Sequence, residues 1–424
     1  MNLWTRRLLC CAAFGAAASF LAACGGRMAA APELPPTSNL TIPSNVLESC
    51  ATLLPGDYMR CFAQFRTDVP NGRDAMGVLA GATPSGYGPA QLQDAYALPS
   101  SNHGTGQIIA IVDAYNDPNA DADLGVYRKQ YGLPVCSTSN GCFSKVSQTG
   151  SKSLFPPDNG GWAQEESLDL DVVSAVCPNC HIILVEANSA AISDLDVAEN
   201  EAVKLGANIV SNSFGGPEYT AMDPAYSHPT TVLVASAGDN GFAGGPEQPC
   251  TFLGVVCAGG TSLKMAQNSR GWTEVVWNDL ATHHGATGSG CSILIVKPAW
   301  QTDKGCTKRD ETDSSFDADP QTGVAVYDSY PYMGFKGWLV FGGTSVSSPG
   351  LAAVYGLAGN AKSVGRYAPQ RIWHDRGSGL NAITSGNNGT CSQSYKYICT
   401  AGTNDDGVYS GPGGWGTPKG LSDY

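Results

Sequence analysis

Four stretches of the chain are apolar for several residues and then break into polar or glycine-rich turns: GQIIAIVDAY at 106–115, HIILVEAN at 181–188, ANIVSNSFGG at 207–216 and TTVLVASAGD at 230–239. Runs this short, apolar at both alternating positions, suit strands covered on both sides. Between them the spacing turns helical. ISDLDVAENEAVKLGA, 192–207, repeats apolar positions every three or four residues and stops at glycine. GGWAQEESLDLDVVSAVCP, 160–178, sets Leu168, Val172, Val173 and Val176 on one stripe. Strands alternating with helices predict an α/β fold, a doubly wound parallel sheet with helices on both faces. Functional loops of such sheets lie at the carboxyl ends of the strands.

The N-terminus departs from this pattern. MNLWTRRLL carries Arg6 and Arg7 ahead of an apolar run, and LAAC at 21–24 resembles a bacterial lipobox. Residues 1–23 are therefore expected to be a lipoprotein signal peptide, and Cys24 the lipidated residue; an ordinary secretory signal is the alternative. Gly25 stands where an aspartate would retain a lipoprotein in the inner membrane, so an exported outer-membrane or cell-surface protein is expected, anchored or shed. Residues 24–45, rich in Pro and Ala, are expected to be a tether. Residues 46–85 are expected to form a short irregular subdomain or prodomain remnant, and 86–424 the main domain.

Composition narrows the partners. Of 424 residues 42% are hydrophobic and 14% charged, with a net charge of −13. That acidity excludes nucleic acid as a partner, and leaves a lipid anchor rather than surface charge to hold the chain at a membrane. Of 15 cysteines, Cys10, Cys11 and Cys24 belong to the targeting segment. The rest fall into sequence-local couples: Cys50/Cys61, Cys136/Cys142, Cys177/Cys180, Cys250/Cys257, Cys291/Cys306 and Cys391/Cys399. In an exported chain they are disulfide candidates, adjacent pairing being the simplest scheme. CPNCH at 177–181 lacks the second CxxC of a metal site and reads as a structural disulfide.

The candidate chemistry sits near the end. FGGTSVSSPG, 341–350, has the small residues and glycines of a nucleophilic serine at a helix start, Ser345. Such a hydroxyl needs a base. The chain has six histidines, but HGTG at 103–106 precedes a strand, and Asp113 lacks the following glycine of a subtilisin-type aspartate. Glu165 and Asp169, four apart, share a helical face. Like charges that close raise at least one pKa, and such a pair can act as base and orienter; an ordinary solvated acidic face is the plain reading. Asp239, in SAGDNGF at 236–242, can donate a hydrogen bond only when protonated.

Taken with GYGPAQLQDAYALP, AIVDAYNDPNA, EESLDLDVVSAVCP, SNSFGG, SAGDNG and GGTSVSSP, these segments resemble the sedolisins, the serine-carboxyl peptidases, from about residue 85 to the C-terminus. The resemblance implies a subtilisin-like fold and an endopeptidase of protein or peptide substrates working in acid. By motif, Ser345 matches the nucleophile, Glu165 the general base, Asp169 its partner and Asp239 the oxyanion donor; Glu166 is the neighbouring alternative to Glu165. The resemblance also implies a calcium loop at Ile383, Gly402, Asn404 and Asp406, with Ala382 where an aspartate is expected and Asn381 or Asp405 as substitutes. Calcium takes six to eight oxygens, several of them charged, so the site is expected to be weak. Sedolisins are usually made with a long prodomain, for which Cys24 to residue 85 is too short. That departure favours the other reading, a catalytically weak or inactive lipid-anchored binding protein.

Overall fold

The computed structural model describes residues 45–50, 57–69, 84–282, 284–391, 396–403 and 408–424. The targeting segment with Cys24, the tether before residue 45, His283, Asn404, Asp405 and Asp406 lie outside the described residues.

The chain enters through three short strands, β1 (Val46–Glu48), β2 (Arg60–Cys61) and β3 (Gln64–Arg66), and helix α1 (Pro89–Ala95). A β/α alternation follows: β4 (Ile108–Ala114), α2 (Ala120–Gln130), β5 (Phe143–Ser147), α3 (Gly160–Val176), β6 (His181–Ala187), α4 (Ile192–Lys204) and β7 (Ile209–Asn212). Next come β8 (Phe214–Pro217), β9 (Val232–Ser236), the single turn α5 (Gly241–Gly244), β10 (Glu247–Gln248), β11 (Val255–Met265) and β12 (Trp272–Val276). Strands β13 (Cys291–Val296), β14 (Lys308–Asp310), β15 (Ser314–Asp317), β16 (Val324–Tyr332) and β17 (Phe335–Gly342) lead to α6 (Thr344–Ala358).

Among the described residues the central sheet has eight strands, in the order β12-β11-β9-β7-β4-β6-β5 with β15 beside β11. All its pairings are parallel except β11 with β12. Alternate residues enter different cores. Ile109, Ile111, Val232 and Val234 pack with Leu168 and Val173 of α3 and with Val346 and Leu351 of α6. Ala110, Val112, Leu233 and Ala235 pack with Leu195, Ala198 and Ala202 of α4. Both faces are therefore covered, which is why these strands read as continuous apolar runs. The fold is subtilisin-like α/β.

Residues 46–85 are described at 46–50, 57–69 and 84–85, within one compact unit, Ser44–Tyr424. There β1 pairs with β3, β3 with β17 and β2 with β8, all antiparallel. Each sequence-local cysteine couple forms its disulfide: Cys50–Cys61, Cys136–Cys142, Cys177–Cys180, Cys250–Cys257, Cys291–Cys306 and Cys391–Cys399.

Candidate active site

Strand β17 runs straight into the candidate nucleophile. Gly343 turns the chain with φ +93°, and a Cβ there would lie 1.9 Å from the Phe62 carbonyl oxygen; glycine meets both demands. Ser345 then falls in the first turn of α6, a helix buried on all sides because its residues are small or apolar. Its Oγ donates to the Ser213 carbonyl at 3.2 Å and accepts from the Phe62 amide at 3.2 Å.

Helix α3 supplies the carboxylates. Asn159 caps it, its side chain accepting from the Gly161 and Trp162 amides. Glu165, Glu166, Asp169 and Asp171 are all buried, so the solvated acidic face is excluded. Asp171 points away from the serine and accepts from the Tyr327 amide at 2.8 Å. Glu165 Oε2 accepts from the Ala63 amide at 2.8 Å. Both Asp169 oxygens accept from the Ser213 hydroxyl at 2.8 Å. Ser213, just after β7, thus ties Asp169 to Ser345. Burial pushes Glu165 up to about 8, opposed by the Ser345 hydroxyl and the Ala63 amide. Burial also holds Asp169 well above the carboxylate range, helped by the charges of Asp113 and Glu165. Like charge, the cause expected from spacing, is the smaller of the two.

Asp239 follows β9. Its Oδ1 accepts from the Thr344 amide and hydroxyl, each at 2.8 Å, and its Oδ2 from Gln64 Nε2 at 2.8 Å. Thr344 is held in turn by the Ser236 hydroxyl and the Gly238 amide. Burial pushes Asp239 up to about 7, opposed by the Thr344 bonds and Arg60.

Glu166 takes the other side of the helix. Its oxygens are buried and unpartnered, and burial with the charges of Glu186, Asp117 and Asp113 holds its pKa high. Lys145 closes that group through Glu186 at 2.7 Å. Glu165, not Glu166, therefore faces Ser345. The described histidines engage other groups or lie exposed: His103 contacts the Leu357 carbonyl, His228 the Ala225 carbonyl and His284 Thr282, while His181 and His374 are on the surface. Sequence reasoning missed Ser213, although SNSFGG contains it, and set Asp113 aside for want of a following glycine. The latter ends β4 with both oxygens buried and unpartnered, its pKa raised by burial, Glu165 and Glu186.

So many raised carboxyls make stability depend on pH. Glu165 and Asp328 reach about 8, and Asp239, Glu186 and Glu247 about 7, from ordinary values of 3.8 for Asp and 4.5 for Glu. Between those ordinary values and the raised ones the folded chain binds more protons than the unfolded chain. Stability is then greatest in acid and falls as pH rises toward 8. The melting temperature should drop by at least about 5 °C from pH 5 to pH 8, each kcal/mol moving a large domain by roughly 2 °C. A midpoint that rises over this range by calorimetry would contradict the buried carboxyls.

Of the expected calcium ligands, Ile383 and Gly402 are described and offer main-chain oxygens, while Ala382 is an exposed methyl. Among the described residues the acidic groupings are Cys250/Cys257/Glu311 and Asp303/Cys306/Asp310, whose cysteines are all in disulfides. The described part of the loop thus supplies only main-chain oxygens, the other expected ligands lying outside the described residues. A chelator should shift the melting temperature by less than about 3 °C, since a tightly occupied site stabilises by several kcal/mol; a shift of tens of degrees would show a complete ligand set.

No family model matches the chain. It is 27% identical over 382 residues to kumamolisin of Bacillus sp. (strain MN-32), covering 80% of this chain and 63% of that protein. It is 25% identical over 379 residues to sedolisin of Pseudomonas sp. (strain 101), covering 81% and 62%. The chain is thus similar to sedolisin-type proteins over about 80% of its length. It spans just under two thirds of the length of these two sedolisin relatives. In fold it matches the solved Pseudomonas sedolisin, a serine-carboxyl proteinase complexed with two molecules of pseudo-iodotyrostatin: TM-score 0.66, 24% identity, 80% of this chain and 96% of that one.

Proposed function

We propose that the chain is a serine-carboxyl endopeptidase that hydrolyses protein or peptide substrates in acid. The carrying observation is the convergence of Ser345, Glu165, Asp169 and Asp239 around one buried point at the carboxyl ends of β7 and β9, where no described histidine lies. Glu165 takes the Ser345 proton as Oγ attacks the scissile carbonyl. Protonated Asp239 donates to the developing oxyanion. Glu165 then returns the proton to the leaving amine, and water resolves the acyl-enzyme by the same steps reversed. Asp169, held by Ser213, orients Glu165 and bears part of the shared proton. The active form carries its proton on Asp239 rather than on Glu165, which ties activity to a narrow range of ionisation.

Export with lipidation at Cys24 would place this chemistry on an outer membrane or cell surface; LAAC supports that reading, and labelling of the expressed chain with a fatty acid tests it. The deciding test of the activity is digestion of a denatured protein across a pH series by the wild-type chain and by Ser345→Ala.

A further inference from the structure

On the flank of α3 turned away from Ser345, Glu166 is fully buried, and its oxygens meet no amide, ammonium or hydroxyl donor among the described residues. What it meets is the Glu186 carboxyl near the end of β6, with which its side chain shares a hydrogen bond. Two carboxyls make such a bond only when one keeps its proton. Glu186 is the ionised partner, because Lys145 Nζ lies 2.7 Å from its Oε1 and the Asp117 amide donates to the same oxygen at 3.1 Å. Lys145 reaches in from β5, the edge strand of the central sheet, and donates to Asn116 Oδ1 at 2.5 Å and to the Asp117 carbonyl. One ammonium thus ties the carboxyl ends of β4, β5 and β6 together and presents a carboxylate to α3. The charged groups facing Glu166 are Glu186, Asp117, Asp113 and Lys145, of which Lys145 is the one cation among the described residues.

We propose that Glu166 is a positioning residue: the proton it shares with Glu186, backed by Lys145, locks the turn of α3 that aims Glu165 at Ser345. This role rests on the peptidase reading and adds to it a side chain that touches neither substrate nor Ser345. Consecutive side chains of a helix lie about 100° apart, so fixing Glu166 against the sheet fixes the direction of Glu165. The helix is held elsewhere by Asp171, which accepts from the Tyr327 amide, and by Gln164, which accepts from the Ser49 hydroxyl at 2.8 Å. Glu166 supplies the hold on β6. A satisfied buried polar network fixes one arrangement, where apolar side chains would accept several. A shift of about 1 Å between reacting groups can cost roughly 10²-fold in rate.

Glu166→Met removes the donor at similar length, whereas Glu166→Gln keeps one, because its amide donates to Glu186. On a denatured protein at the acidic optimum, Glu166→Met should lose about tenfold or more in kcat with KM within about threefold of wild type, and Glu166→Gln should stay within about threefold in both. A side chain that only filled space would move the melting temperature and leave no such contrast. Equal kcat for Glu166→Met and wild type, or equal losses in the two variants, overturns the lock. If Glu166→Met unfolds the chain, Lys145→Met and Lys145→Arg make the same comparison from the edge strand. Methionine should then lose about threefold or more in kcat and arginine restore it; equal values overturn the lock. A second readout needs no turnover. In Ser345→Ala, hydrogen exchange of the α3 amides should quicken with Glu166→Met and stay unchanged with Glu166→Gln. That separation, with no hydrolysis by the wild-type chain, would sink the peptidase reading and leave the lock standing. Hydrolysis by wild type with no separation would sink the lock alone.

Discussion

Ser345→Ala is expected to abolish peptide hydrolysis and labelling by a fluorophosphonate, with a melting temperature within a few degrees of wild type. Losing the nucleophile of a serine peptidase costs on the order of 10⁶ in turnover, because the remaining groups do not act independently. The fold should survive. The hydroxyl makes two hydrogen bonds, to the Ser213 carbonyl and from the Phe62 amide, and the amide keeps the Ser213 carbonyl as an acceptor. The loss is then about 1 kcal/mol. Activity near wild type in the folded variant, measured on a denatured protein at the acidic optimum, would exclude Ser345 as the nucleophile.

Asp239 carries the second large effect. With its pKa near 7, the donor proton is present in acid and lost as pH rises through that value, so Asp239 contributes a falling limb to the wild-type profile, against the rising limb that Glu165 contributes as it ionises. Asp239→Ala should lose roughly 10²–10³ in turnover at the acidic optimum, the usual cost of an oxyanion donor. Asp239→Asn should behave differently. Its carbonyl can still accept from Thr344, and its amide donates at any pH, with the Gln64 amide turned to accept. The high-pH limb should flatten, and the profile should follow Glu165 alone, rising as that base ionises. The wild-type profile is macroscopic because Glu165, Asp169 and Asp113 titrate together, so the comparison of variants isolates the Asp239 contribution. Equal activity of Asp239→Ala and wild type at every pH would remove the oxyanion role.

Much was legible before any coordinates. The alternation of apolar runs and helical stripes sufficed for the parallel sheet, since each run needed both its faces covered. The i, i+4 step put Glu165 and Asp169 on one face, since 3.6 residues per turn leaves no other outcome. The couples from Cys50/Cys61 to Cys391/Cys399 were close enough in the chain for adjacent pairing to be the simplest scheme. None of these depends on a distant partner.

The rest came from contacts between residues far apart in the chain. An acidic stretch such as EESLDLD is normally solvated; its burial follows from α3 lying between α6 and β16, which spacing does not encode. The high carboxyl pKa values follow from that burial more than from neighbouring charge. Ser213, Asp113 and Thr344 gained their roles only when β7, β4 and α6 met at one end of the sheet. Residues 60–66 look, in one dimension, like the tail of an irregular leader. Only the pairing of β2 with β8 and of β3 with β17 sets their main-chain amides against Ser345 and Glu165, because where amides and carbonyls point is not recorded in side-chain order.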